Sequence, residues 1–136
     1  MWLRVATWAS AAVLSVAAAA LAWCVGVLAA NDISDPDYFW RPIEALVDLK
    51  YLVLFTALVI GGLCLAALAK LRGRGAPVDP LVVLPVVLIG AVAGGSYSVL
   101  TAPVIGANIG AGLVVFAAPI AILVLAAWAV RSTRTR

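Results

Sequence analysis

Histidine is absent from the 136-residue chain. That excludes bis-histidine haem, histidine-ligated zinc or copper, and histidine acid–base catalysis. Two cysteines and one methionine, with no CxxC pair, leave no metal or redox motif. No cofactor and no metal site are therefore expected. Charge is scarce too: Asp, Glu, Lys and Arg make up 11% of the residues, against about 25% in an average soluble domain. Hydrophobic residues take their place at 66%, against about 45–50%. A soluble fold this small keeps most side chains near water, and this composition lacks the polar surface to do so. An ordinary soluble domain, a disordered tail and a nucleic-acid-binding module are excluded. The formal net charge of +3 consequently bears on membrane topology rather than on nucleic acid.

Four apolar runs follow one another at 5–30, 51–69, 81–100 and 111–130, none with an ionisable side chain. A hydrocarbon core of about 30 Å is crossed by roughly 20 helical residues, so each run is long enough. The polar/apolar alternation of barrel strands is missing. The sequence thus predicts an all-α fold, an integral membrane four-helix bundle forming a single transmembrane domain.

The linkers set the orientation. Arg4 precedes the first span; Lys70, Arg72 and Arg74 lie in the loop 70–80; Arg131, Arg134 and Arg136 lie in the tail 131–136. The loop 31–50 carries Asp32, Asp35, Asp37, Glu44 and Asp48 against Arg41 and Lys50, and the link between the third and fourth spans is uncharged. Every basic segment falls on one side when both termini are cytoplasmic, as the positive-inside rule requires. The expected location is the bacterial inner membrane. The N-terminus has a competing reading as a signal peptide, through Leu28-Ala29-Ala30 before Asn31. A signal core is about 7–15 residues, and the longer run here favours a retained first helix.

Lipid gives one helix no hydrophobic reason to prefer another, so small residues four apart mark the packing faces. Gly90, Gly94 and Ser98 form such a stripe on the third span; Ala18, Ala22, Gly26 and Ala30 on the first; Ala57 and Gly61 on the second. Gly90, Gly94, Ser98, Gly61, Ala22 and Gly26 are the helix-packing candidates. The stripes serve either packing within one subunit or, on the third span, a homo-oligomer seam. Pro85 falls in the first turns of its span, where a missing N–H is cheap. Pro119 falls mid-span and frees the carbonyl of Val115. The uncharged segment 101–112, with Pro103, Gly106, Asn108, Gly110 and Gly112, reads as a loop at the outer interface.

The loop 31–50 is the most informative polar segment. Pro42 suits a first helical position and Glu44 the first turn. Ile43, Leu46 and Val47 then share a side opposite Glu44 and Asp48, which predicts a short amphipathic helix on the outer surface. The aspartates do not match a calcium loop and read as solvated acids. Tyr38, Phe39 and Trp40 suit headgroup-level anchoring. Asp35, Asp37, Tyr38, Phe39, Trp40 and Arg41 are the partner-contact candidates. Lys70, Arg72, Arg74 and Arg131 are the candidates for anionic lipid headgroups. Cys24 and Cys64 lie at depths of roughly 8 and 20 Å at 1.5 Å per residue, which opposes a disulfide. Ser96, Tyr97 and Ser98 end the third span as a weak polar signal.

No span carries a histidine or a carboxylate, so an enzyme is not expected. Size and span count resemble those of the small multidrug-resistance exporters, but those carry a glutamate in the first helix and this chain has none. The expected function is a non-catalytic multi-pass protein acting through helix–helix and outer-loop contacts, an accessory or assembly subunit of a larger membrane complex. The expected partners are the bilayer and a membrane protein or a second copy of the chain. The alternative is a small oligomeric pore, channel or permeability protein, holin-like or phage-exclusion-like.

Overall fold

A computed structural model describes residues 2–30, 38–76, 78–103 and 109–134. They form five helices: α1 (Trp2–Ala29), α2 (Glu44–Asp48), α3 (Lys50–Gly73), α4 (Pro80–Leu100) and α5 (Ile109–Arg134). Four of them, all but α2, are long and apolar enough to cross a membrane, which points to a membrane protein.

The helices run past the apolar stretches that announce them. Arg4 lies inside α1, Lys70 and Arg72 inside α3, and Arg131 inside α5. Backbone hydrogen bonding continues where the side chains turn polar, and cations in a last turn complement the negative helix end. Residues 70–73 of the segment 70–80 therefore belong to the end of α3. α3 stops in a Schellman motif: Gly75 takes φ +78°, its N–H donates to the Arg72 carbonyl at 3.1 Å, and the Ala76 N–H donates to the Leu71 carbonyl at 3.0 Å. Glycine enters this left-handed conformation without the Cβ penalty of other residues.

α4 opens on Asp79, whose Oδ1 accepts the Leu81 N–H at 3.0 Å, with Pro80 at the first helical position. Both residues suit those places, since the cap satisfies an orphan donor and proline has none to lose. This start corrects the expectation for Pro85. It lies beyond the first four residues, so its missing N–H leaves the Leu81 carbonyl without its usual helical donor. Pro85 is fully buried. α5 continues through Pro119. Ahead of α3, α2 is a single turn with Ile43 at its N-cap, so Pro42 precedes the helix rather than starting it. Asn108 and Gly106 lie outside the described residues, while Gly110 and Gly112 belong to α5.

In space the long helices contact one another in the series α3–α1–α4–α5. α1 and α4 form the central pair; α3 and α5 each have one principal neighbour. Among the described residues α3 and α5 make no comparable contact, so the expected bundle is not closed into a ring. Burial follows this order: 28% of the most apolar window is buried in α1 and in α4, but 6% in α5.

Small residues make the central pair. Gly90, Gly94 and Ser98 are all buried. A Cβ built on Gly90 would fall on the carbonyl oxygen of Ser15, one on Gly94 on that of Ala19, and one on Gly26 on the hydroxyl of Ser98. The matched positions ascend together, so α1 and α4 run parallel. The Ser15 hydroxyl donates across the seam to the Val86 carbonyl at 2.7 Å. The stripe is thus used inside one chain, the first of the two readings open from the sequence. On the other side of α1, a Cβ on Gly61 would meet the Ala17 Cβ at 3.7 Å, ordinary contact. Ala57 is buried and Ala22 half-buried.

Candidate functional site

Among the described residues the charged side chains gather at the two ends of the long helices, and each end holds a cavity. The larger, about 500 Å³, draws its lining from all four long helices. Arg4, Thr7 and Trp8 come from the start of α1, Arg72 from the end of α3, Asp79 from the cap of α4, and Thr133 from the end of α5. Topology explains the meeting: α1 and α4 begin at this end, while α3 and α5 finish there.

The cavity's polar groups differ in what they can offer. The Thr7 hydroxyl donates to the Leu3 carbonyl at 2.9 Å, and the Thr133 hydroxyl to the Val130 carbonyl at 2.7 Å. Both protons are spent on the residues' own helices. Asp79 Oδ1 is engaged in capping. Arg4 and Arg72 are exposed, and neither has a hydrogen bond or ion pair among the described residues. Trp8, Val82 and Val83 supply the apolar part of the lining. The arrangement sets guanidinium donors beside hydrocarbon, with the Asp79 carboxylate and Ser132 in the same lining. Of the lipid-headgroup candidates, Lys70, Arg72, Arg74 and Arg131 all cluster at this end, and Lys70, Arg72, Arg74 and Arg131 are all exposed. Only Arg72 among them borders the cavity. The sequence reading used Arg4 for topology alone and missed that the fold brings it beside Arg72. No local signal joins residues so far apart in the chain.

The opposite end holds a cavity of about 190 Å³ bordered by Tyr38, Val47, Lys50, Ser98, Thr101 and Pro103. The Thr101 hydroxyl donates to the Tyr97 carbonyl at 2.8 Å, and that of Ser96 to the Val92 carbonyl at 2.6 Å. Of Ser96, Tyr97 and Ser98, the Ser96 hydroxyl is therefore turned back on its own helix. The Trp40 N–H donates to the Leu100 carbonyl at 3.1 Å, which ties the aromatic segment to the end of α4. Phe39 and Trp40 stay 57% and 64% exposed, and Tyr38 and Arg41 are also exposed. Asp35 and Asp37, with Asp32, lie outside the described residues. Ile43 and Leu46 of the α2 region are exposed as well, while Val47 on the same side is half-buried. Lys50 Nζ stands 5.7 Å from the Tyr51 ring centroid.

Both cysteines are free. Cys24 is fully buried, and its thiol donates to the Lys50 carbonyl at 3.5 Å. Cys64 lies fourteen residues further along α3, about 21 Å at 1.5 Å per residue. The separation far exceeds disulfide reach. Comparison with protein-family models, with curated proteins and with solved structures gave no match.

Proposed function

We propose that the chain is a non-catalytic multi-pass protein of the bacterial inner membrane, an accessory or assembly subunit of a larger membrane complex, with both termini cytoplasmic. The observation that carries this reading is the open contact series. Among the described residues, α3 and α5 each offer long apolar sides to which no other long helix is applied, while the glycine stripe that would drive self-association is consumed between α1 and α4. The exposed Phe39 and Trp40, anchored through the Leu100 carbonyl, supply a second contact surface beyond the bilayer. Aromatic residues are enriched at such interfaces. Orientation rests on Arg4, Lys70, Arg72, Arg74 and Arg131 sharing one end of the helices, as the positive-inside rule favours for a cytoplasmic face.

The test is affinity purification in mild detergent with quantitative mass spectrometry. The expected result is one membrane protein recovered in fixed stoichiometry, and depleted when Phe39→Ala and Trp40→Ala are combined. Robust solute flux from liposomes containing only this chain would overturn the reading in favour of a pore.

A further inference from the structure

We infer that the larger cavity is a discrete site for one anionic phospholipid, with the phosphodiester headgroup between Arg4 and Arg72 and an acyl chain against Trp8, Val82 and Val83. The inference rests on the chain spanning a membrane, and not on its having a protein partner. Three observations lead to it. First, the rim carries two guanidinium groups without an ion pair among the described residues. Guanidinium presents planar donors matched to phosphate oxygens. Second, the neighbouring hydroxyl protons of Thr7 and Thr133 are already donated to backbone, and Arg4 and Arg72 are the cationic donors in the lining. Third, one cavity of about 500 Å³ joins cationic to apolar lining, the mixed polarity of a lipid rather than of a soluble phosphate. The unclosed side between α3 and α5 gives an acyl chain a lateral way in. Asp79 shares the lining and caps α4 through one oxygen; its negative charge opposes an anion, and the two guanidinium groups outnumber it.

Diffuse attraction of anionic lipid to a basic face would act through every arginine there alike. A built site makes them unequal. Arg72 lines the cavity and Arg74, two residues on, does not. The experiment uses the full chain in phosphatidylcholine nanodiscs containing a minor fraction of phosphatidylglycerol, with lipid retained after stepwise delipidation counted by native mass spectrometry. One phosphatidylglycerol per chain is expected to persist. Retention should fall about fivefold in Arg4→Gln and in Arg72→Gln, the rough value of one basic residue at a membrane surface, and stay within twofold in Arg74→Gln. Val83→Phe, which fills the apolar wall without touching charge, should also lower retention. Equal losses in all three arginine variants would overturn the site in favour of diffuse attraction. So would unchanged retention in Arg4→Gln and Arg72→Gln, or displacement of the lipid by millimolar glycerol phosphate, which would identify a soluble phosphate as the ligand. A chain that fails to enter nanodiscs would refute the membrane reading instead.

Discussion

Gly94 and Gly95 are adjacent on α4, and replacing each with alanine separates packing from every other effect. At Gly94 the new Cβ would fall on the carbonyl oxygen of Ala19 and stand 2.7 Å from its Cα, where carbon atoms prefer about 3.5–4.0 Å. The obstacle is backbone, which has no rotamer to swing aside, so α1 and α4 must part by at least about 1 Å. A gap of that size forfeits about a quarter to a half of the dispersion well for each pair it separates. Overpacking of this kind costs about 1–3 kcal/mol. At Gly95 nothing lies within 4 Å of the new Cβ. Both substitutions gain the same helix propensity, up to about 1 kcal/mol, so the difference between them isolates the steric term. Gly94→Ala should be about 1–3 kcal/mol less stable than Gly95→Ala, roughly 5- to 150-fold in the folding equilibrium. The assay is reversible unfolding in mixed micelles titrated with denaturing detergent, followed by far-ultraviolet circular dichroism and by tryptophan fluorescence, since Trp23 of α1 is 6% exposed. Equal stability of the two variants would refute the α1–α4 seam. A change in oligomeric state with monomer stability intact would restore the seam to an interface between copies.

Four further outcomes follow from the same structure. Gly26→Ala should destabilise through collision with Ser98, and Ser98→Gly should rescue it; a double-mutant cycle should give a coupling of about 0.5–3 kcal/mol, and additivity would separate the two residues. Asp79→Ala should cost about 0.5–2 kcal/mol by uncapping α4 while Asp79→Asn costs little, read as melting temperature in detergent; equal losses would deny the cap. Gly75→Ala should destabilise by about 1 kcal/mol through its left-handed backbone, and Gly73→Ala should not; identical unfolding curves would remove the Schellman stop. In a background without native cysteines, Glu44→Cys should react with a membrane-impermeant reagent in intact cells, and Gly73→Cys only after lysis; the opposite pattern would reverse the proposed orientation.

The four spans were legible because each run of hydrocarbon is long and uninterrupted by charge, a signal that needs no tertiary information. Their ends were not. Lys70, Arg72 and Arg131 read as the close of a span, yet the helix continues through them because backbone bonding is indifferent to what the side chain seeks. The Asp79-Pro80 pair did carry a local signal for the start of α4, since a capping acid before proline is a recognisable order. The small-residue stripe on Gly90, Gly94 and Ser98 was visible as a face, but its occupant was not. Small-residue spacing reports how closely a neighbour can approach and says nothing of which helix that neighbour is. The juxtaposition of Arg4 with Arg72 depends on the contact order of the helices and on which termini share an end, and only the first of these was hidden from the sequence.

The placement of α1 between α3 and α4 has a consequence for biogenesis. The chain's tightest joint links the first long helix to the third, so it cannot form while only the first two have left the ribosome. Until α4 arrives, α1 holds α3 through looser contacts such as Gly61 against Ala17, and its other flank, with the Ser15 hydroxyl and the bare carbonyl oxygens, waits for a mate still being synthesised. The nascent hairpin is the vulnerable stage, and arrival of α4 is the step that commits the polypeptide to its final form.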